Sequence, residues 1–304
     1  MVGSAVWRSL KSKKYINLIG QSSEKLDLRN QKAVLEFFKK ERPDYVLLAA
    51  AKVGGIMANK TYRAEFIYDN IQIQNNIIHY SYVFGVKKLL FLGSSCIYPR
   101  NCNQPIKEEY LLTGELEKTN EPYAIAKIAG IKMCESYFNQ YNAQFFSIMP
   151  TNVYGPNDNY NLETSHVLPA LIRKFHEAKI ACNDHVMLWG TGKPLREFIH
   201  VNDLADAALF VLQQDYKKLY GKGLTHLNVG SGVEISIKNL AELVAKIIDY
   251  RGEIIFNANK LDGTPRKLMN ITRMLELGWK AKIKLENGIE STYATFLNEN
   301  KNNN

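Results

Sequence analysis

Continuous apolar runs alternate with longer amphipathic stretches along the first half of the chain. Apolar runs without polar interruption are typical of parallel strands that helices cover on both faces. The strands that this pattern predicts are Tyr15–Ile19, Asp44–Ala50, Leu89–Leu92 and Phe145–Met149. The helices predicted between them are Gln31–Glu41, Tyr62–Phe84 and Pro122–Tyr141. Strands that alternate with helices of this length indicate an α/β fold with a Rossmann-type, doubly wound parallel sheet.

The alternation is less regular after Gly155. The elements predicted there are the helices Ser165–Ala178, Val201–Gln213, Ser236–Tyr250 and Thr272–Leu277, and the strands Val186–Leu188, His226–Val229 and Glu253–Phe256. We therefore expect a dinucleotide-binding domain over residues 1–155. A smaller C-terminal α/β substrate-binding lobe, partly interleaved with the first domain, is expected over residues 156–297. The polar residues 298–304 are expected to form a frayed tail.

Composition narrows the class of protein. Hydrophobic residues make up 46% of the 304 residues, which is enough for a sizeable core. The formal charge of +9 comes from scattered lysines rather than from a basic stripe with interleaved aromatic residues, so we expect no nucleic-acid partner. The four cysteines show no CxxC pair and no metal-ligand spacing, which favours a reduced cytoplasm and no metal. We expect neither a membrane partner nor a signal peptide.

The first residues of the chain carry a glycine, Gly3. A dinucleotide-binding sheet opens with an apolar strand, a loop such as G-x-x-G-x-x-G and then a helix. Gly3 corresponds in position to the last glycine of such a loop, with the helix directly after it. We therefore expect the chain to lack the first strand of the sheet and most of the glycine loop.

The predicted strand Leu89–Leu92 ends in Gly93-Ser-Ser-Cys96. Open α/β sheets bind ligands at the carboxyl ends of their strands. Tyr123 and Lys127 follow on a predicted helix, where a spacing of four residues puts them on one face. A lysine ammonium near a phenol lowers the phenol's pKa, so this tyrosine can exchange a proton with a carbonyl oxygen during hydride transfer. Tyr-x-x-x-Lys alone is more often an ordinary helix face, and it is the strand-end serine that favours a catalytic site.

Several longer segments resemble the extended short-chain dehydrogenases/reductases, and among them the epimerase-reductases of GDP-4-keto-6-deoxymannose. The resemblance runs from Met1 to about residue 297. The segments that carry it are Ala49-Ala-Ala-Lys-Val-Gly-Gly55, Leu89-Leu-Phe-Leu-Gly-Ser-Ser-Cys-Ile-Tyr-Pro99, Thr119-Asn-Glu-Pro-Tyr-Ala-Ile-Ala-Lys-Ile-Ala-Gly130, Met149-Pro-Thr-Asn152, Ser165-His166 and Asp262-Gly-Thr-Pro-Arg-Lys267. It implies NADPH-dependent 3,5-epimerisation and 4-reduction of GDP-4-keto-6-deoxy-D-mannose to GDP-L-fucose.

The same resemblance implies the roles of five side chains. Ser94, Tyr123 and Lys127 match the reductase triad of the family. Cys96 and His166 match the acid/base pair of the epimerisation, in which one group removes a proton next to the 4-keto group and the other returns one on the opposite face. Dehydratases of the superfamily carry an acidic pair, Thr-Asp-Glu-x-Tyr, in the segment where this chain has Cys96. Taken alone, a cysteine or a histidine at these positions is more often structural.

Binding residues follow from the same matching. Those implied for NADPH are Gly3, Leu92, Gly93, Ser94, Ser95, Tyr123, Lys127, Pro150, Thr151, Asn152, Val153 and His166. Those implied for the GDP-sugar are Lys174, Trp189, Arg196 and Asp262. Arg196 suits a phosphate because a guanidinium binds it bidentately, whereas Lys174 stands where arginine is common in the family. Ser23 stands where the family has a basic residue for the 2′-phosphate of NADP, so the sequence itself shows no clamp for that phosphate.

Two other functions stay open at this point. One is C4 reduction of a related GDP-keto sugar, such as a heptose, without epimerisation by Cys96 and His166. The other is a truncated, catalytically impaired family member that acts as a binding or assembly protein. The resemblance also implies a homodimer that forms through the predicted helices over residues 62–84 and 122–141.

Overall fold

The computed structural model describes residues 1–260 and 262–301. In chain order, its helices are α1 (Val2–Ser12), α2 (Gln31–Glu41), α3 (Ile56–Thr61), α4 (Arg63–Val83), α5 (Glu121–Tyr141), α6 (Val167–Ile180), α7 (Val201–Gln213), α8 (Tyr216–Gly221), α9 (Ile237–Ile248), α10 (Thr272–Glu276) and α11 (Leu285–Lys301). Its strands are β1 (Tyr45–Leu48), β2 (Lys88–Leu92), β3 (Phe145–Pro150), β4 (Asn152–Tyr154), β5 (His185–Trp189), β6 (Leu195–His200), β7 (His226–Val229), β8 (Glu234–Ser236), β9 (Glu253–Asn257) and β10 (Arg266–Lys267).

Four parallel strands form the central sheet in the order β1-β2-β3-β7. Side chains of β2 alternate between the two faces, as a strand requires. Leu89 and Phe91 belong to the core beneath α4 and α5, whereas Leu90 and Leu92 belong to the core on the α7 side. Burial on both faces explains why these strands are continuously apolar. The doubly wound parallel sheet predicted from the sequence is confirmed.

A second hydrophobic core lies among α6, α9 and α11, next to the parallel pair β5 and β9. Strand β6 links this part of the chain to the first. It pairs with β4 and β10 in parallel and with β8 in the antiparallel direction. The carboxyl ends of β2, β3 and β4 therefore face residues from the second half of the chain. This is the edge at which the sequence predicts the chemistry.

Two of the differences between the structure and the sequence-based expectation lie near the ends of the chain. The prediction of a strand at Tyr15–Ile19 is wrong: these residues pair with no described strand, the N–H of Leu18 donates to the carbonyl of Ile16 at 3.0 Å, and Ile16 is 89% exposed. Helix α11 was not predicted, and it continues to Lys301. The described part of the expected frayed tail therefore belongs to a helix, and residues 302–304 lie outside the described residues. Among the described helices, none combines the length and the apolarity needed to cross a membrane.

Candidate active site

The end of β2 leads directly into a short 3₁₀ turn, Ser95–Ile97. Ser94 caps this turn, since its hydroxyl accepts a hydrogen bond of 3.4 Å from the backbone N–H of Cys96. A Cβ on Gly93 would overlap the end of the Met149 side chain on β3, so the glycine lets that side chain pack against the strand end. The turn places Ser94 half-buried at the strand end, with Ser95 and Cys96 buried behind it.

Helix α5 brings Tyr123 and Lys127 to the same strand end. The Lys127 ammonium donates a 2.8 Å hydrogen bond to the carbonyl of Leu92 and lies 5.8 Å from the centre of the Tyr123 ring. Burial lowers the pKa of Lys127 to about 8. Burial also raises the pKa of Tyr123, and the Ser94 hydroxyl partly offsets that rise. The structure therefore brings together the three side chains predicted for the reductase triad.

The Cys96 thiol lies against this cluster. Burial raises its pKa, whereas the Lys267 ammonium, the Ser94 hydroxyl and the Lys127 ammonium act in the opposite direction. Cys96 is buried, with 7% of its surface exposed. A cysteine in this position can take and give a proton next to a carbonyl that Ser94 and Tyr123 hold.

A buried polar network fixes the turn that carries Cys96. The Tyr98 hydroxyl donates to the side-chain oxygen of Asn228 at 2.6 Å and lies 2.9 Å from Nε2 of His226. Burial lowers the pKa of His226 to about 3, so its imidazole is neutral near pH 7. The backbone N–H of Asn228 in turn donates to Glu108 at 3.0 Å. Because both partners of Tyr98 belong to β7, the last strand of the central sheet, the turn is held to the rigid sheet.

His166 lies at the N-cap position of α6, and its side chain makes no capping hydrogen bond. His166 is exposed to solvent, but protein atoms surround the imidazole on several sides. This enclosure lowers its pKa, and the nearby Lys267 ammonium lowers it further. The preceding segment is fixed by the loop after β1, since the N–H of Gly55 donates to the carbonyl of Thr164 at 2.8 Å. A Cβ on Gly55 would overlap the carbonyl oxygen of Ser165.

The residues predicted for the nicotinamide end lie at the carboxyl end of β3. The N–H of Thr151 donates to Val229 at 3.0 Å. The Thr151 hydroxyl and the Asn152 amide both donate to the carbonyl of Glu197, at 3.1 and 2.7 Å. The buried Glu197 carboxylate accepts from the N–H groups of Gly232 and Met269 at 2.6 and 2.9 Å. Sequence reasoning missed Glu197, which connects the cofactor side of the site to three segments of the second half.

The first turn of α1 suits a pyrophosphate. No side chain caps this helix, and its first N–H groups therefore stay available to an anion. Gly3 is exposed in this turn, and a Cβ there would come only within 4.0 Å of Ala49, just beyond the end of β1. Gly3, the segment Leu92–Ser95 and the segment Pro150–Val153 thus fit NADPH, which supplies the hydride when it is bound.

Two of the residues predicted for the GDP-sugar, Arg196 and Asp262, are neighbours. Arg196 is half-buried on β6, and burial lowers its pKa while Asp262 opposes that change. The Asp262 carboxylate accepts from the N–H and the hydroxyl of Thr191, at 2.9 and 2.6 Å. Asp262 therefore closes the turn that follows β5. Arg196 forms no ion pair with another described residue, so its positive charge is suited to binding a phosphate.

The other two predicted substrate residues lie on or beside β5. Trp189 ends this strand with 57% of its surface exposed, and the Lys260 ammonium lies 5.5 Å from its ring centre. Lys174 on α6 reaches the carbonyl of Met187 at 3.5 Å, a long hydrogen bond that leaves most of its donor capacity free. An exposed aromatic face and free ammonium donors suit a base and a phosphate.

Lys267 is a second residue that sequence reasoning missed. It pairs with Arg196 across the β10–β6 register. It also lines a small cavity with Cys96, Glu117 and Asn120. Its segment was part of the family resemblance, but nothing in the sequence places a residue 171 positions after Cys96 next to that thiol.

The comparisons with known proteins agree on one family. The model of the "NAD dependent epimerase/dehydratase family" matches residues 1–230. A putative GDP-L-fucose synthase 2 of Arabidopsis thaliana is 55% identical over 297 residues, which cover 98% of this chain and 89% of that protein. The GDP-L-fucose synthase of Escherichia coli (strain K12) is 52% identical over 300 residues, or 98% and 94% of the two chains.

Solved structures give the same assignment. A GDP-6-OMe-4-keto-L-xylo-heptose reductase from C. jejuni is similar with a TM-score of 0.93 and 40% identity, over 98% of this chain and 95% of that one. A GDP-L-fucose synthetase from Naegleria fowleri, bound to NADP, has a TM-score of 0.88 and 29% identity, over 99% and 92% of the two chains. The chain therefore belongs to the NAD dependent epimerase/dehydratase family and, within it, to the GDP-L-fucose synthase group.

Proposed function

We propose that the chain catalyses the NADPH-dependent 3,5-epimerisation and 4-reduction of GDP-4-keto-6-deoxy-D-mannose to GDP-L-fucose. The observation that carries this proposal is the Cys96 thiol, which the 3₁₀ turn holds against Ser94 and Lys127. A reductase alone needs no acid/base group at this point. Relatives named GDP-L-fucose synthase share more than half of their aligned residues with this chain over almost its whole length, which supports the same function.

The reduction follows from the triad. Ser94 and Tyr123 hold the O4 carbonyl oxygen, and Tyr123 gives it a proton as hydride arrives at C4 from NADPH. The buried Lys127 ammonium lies beside the phenol and stabilises the phenolate that forms. Because Tyr123 is neutral near pH 7, it is in the proton-donating form before each turnover.

The epimerisation uses the same carbonyl. Removal of a proton from C3 or C5 gives an enolate, whose oxygen Ser94 and Tyr123 stabilise by hydrogen bonds. Cys96 and His166 are the two groups proposed to take and return the proton. Both have pKa values moved by the protein, and both lie near Lys267. The GDP part of the substrate is proposed to bind Lys174, Trp189, Arg196 and Asp262.

A second candidate function is C4 reduction of a GDP-keto heptose without epimerisation. This second candidate function is kept because the heptose reductase structure is similar to this chain, with a TM-score of 0.93. The two functions differ in one observable result. Epimerisation in deuterated water puts solvent deuterium on C3 and C5, whereas simple reduction puts none there.

We also propose that the protein forms a homodimer through α4 and α5, as the family resemblance implies. Five large hydrophobic side chains on these two helices are exposed in the single chain: Tyr68, Tyr82, Val83, Ile125 and Tyr141. Exposed apolar groups on two adjacent helices suit a four-helix interface between copies. A cytoplasmic location stays a prediction from the cysteine usage.

The test of the proposed reaction is an incubation with GDP-4-keto-6-deoxy-D-mannose and NADPH in deuterated water. The expected result is oxidation of NADPH and a GDP-L-fucose product with deuterium at both C3 and C5. A reduced product without deuterium at these carbons would favour the heptose-type reductase. Absence of any turnover would favour the catalytically impaired alternative.

A further inference from the structure

The proposed double epimerisation needs the same acid/base pair, Cys96 and His166, to act twice. The two groups alone do not return to their starting protonation states between the two inversions. In the chair form of a D-manno sugar, the hydrogens on C3 and C5 are both axial and lie on the same face of the ring. One base on that face must therefore take both, and one acid on the other face must supply both replacements. After the first inversion the base carries the proton that it took, and the acid has lost its own. The pair must be reset before the second inversion.

A small cavity lies beside the Cys96 thiol, on a side that the triad does not use. Its volume is about 30 Å³, which is enough for one or two water molecules. The lining includes Cys96, Glu117, Asn120 and Lys267. The side-chain oxygen of Asn120, one of the lining residues, is buried and has no hydrogen-bond partner among the described residues. A polar cavity of this size can hold an ordered water.

Lys267 is the lysine that lines the cavity together with Cys96, and the other basic residues of the lining are Arg100 and Arg266. Strand β10 holds it opposite Arg196 on β6, so its backbone position is fixed by a strand pair. The titratable groups around it are Cys96, Cys102, Glu117, His166 and Arg196. Burial and the Arg196 guanidinium lower the pKa of Lys267 below its usual range. A lysine in this state can release a proton and take it back, which arginine does not do.

We propose that Lys267 is a proton-relay residue that resets the Cys96–His166 pair between the two inversions, through water in this cavity. With Cys96 as the base, the Lys267 ammonium gives a proton to the neutral His166 that the first inversion leaves. The Lys267 amine then takes the proton of the Cys96 thiol through the water. One proton has then moved from sulfur to nitrogen, which restores a thiolate and an imidazolium. If the roles of the pair are exchanged, the same path runs in reverse.

The proposal rests on the proposed function, and Lys267→Arg tests it while keeping the positive charge. In deuterated water, the variant is expected to invert one carbon at nearly the normal rate and then to stall. The second inversion should slow by about 10²-fold or more, since proton transfer by a positioned side chain contributes about 10²–10⁴-fold. Mass spectrometry and NMR of the reduced product should then show one deuterium and one inverted carbon. Lys280→Arg, the same change at an exposed lysine, is the control and should give two of each.

The possible results of this experiment distinguish a failure of the proton relay from a failure of the proposed double epimerisation. Wild-type product without deuterium at C3 and C5 would reject the double epimerisation itself. Two deuterium atoms at the normal rate from both wild type and Lys267→Arg would reject the relay and leave the function intact. Hydride transfer in the same variant, followed as NADPH oxidation, reports whether the protein has folded. Addition of an alkylamine to Lys267→Ala gives a second test, since it should restore the doubly inverted product that this variant fails to make.

Discussion

The loop at Gly55 gives a way to disturb His166 without touching any group of the reductase triad. Gly55 precedes α3 with a φ of −66°, which an alanine also adopts, so Gly55→Ala brings no backbone strain of its own. Its Cβ, however, would overlap the carbonyl oxygen of Ser165, one residue before His166. The segment that carries the imidazole must therefore move away from the loop.

The cost can be worked from two contacts. Loss of the 2.8 Å hydrogen bond from Gly55 to Thr164 costs about 0.5–1.5 kcal/mol. Forcing an extra methyl against a backbone carbonyl costs about 1–3 kcal/mol. The free energy of unfolding should therefore fall by roughly 1.5–4.5 kcal/mol, depending on how far the segment relaxes. A shift of about 1 Å in a catalytic group can cost about 10²-fold in rate, so epimerisation should fall by this order.

The assay compares deuterium incorporation at C3 and C5 with NADPH oxidation in one reaction. Hydride transfer should stay close to wild type, because Ser94, Tyr123 and Lys127 lie on other elements. The matched control is Gly221→Ala in α8, where a Cβ would meet nothing within 4 Å; it should leave both steps unchanged. Equal loss of both steps in Gly55→Ala, or no loss in either, would refute the account of how His166 is positioned.

Two further predictions concern charge and assembly. The rate of reduction should fall as the pH rises through about 8, because Lys127 loses the proton that stabilises the Tyr123 phenolate. Lys127→Arg should move this fall to higher pH. An identical pH profile of NADPH oxidation in wild type and variant would contradict this role of Lys127. Ile125→Asp places a charge on the exposed face of α5 and should convert the proposed dimer to monomers in analytical ultracentrifugation, whereas an unchanged sedimentation coefficient would argue against an interface at this face.

The central sheet and the clustering of Ser94, Tyr123 and Lys127 were predictable from the sequence because their signals are local. Continuous apolar runs mark strands that are buried on both faces, and β2 is such a strand. The spacing of Tyr123 and Lys127 fixes one helix face whatever the rest of the fold does. The position of both at the carboxyl end of β2 then follows from the alternation of strands and helices.

The failures have a common physical cause. Tyr15–Ile19 has the composition of a strand, but a strand needs hydrogen-bonding neighbours, and no described strand lies beside this segment. Lys267 and Glu197 owe their places in the site to strand pairs between distant segments, β10 with β6 and β6 with β4. Such a register depends on the whole fold, so neither residue stood out in the sequence, although Lys267 lies in a segment that carried the resemblance.

The most direct test of the account is the number of solvent deuterium atoms at C3 and C5 of the reduced sugar, in wild type and in Cys96→Ser. We predict two in wild type and fewer than two in the variant, with NADPH oxidation retained in both because the triad is intact. Wild-type product without deuterium at either carbon would contradict the assignment of Cys96 and His166 to epimerisation. Two deuterium atoms at an unchanged rate in Cys96→Ser would contradict the role of the thiol.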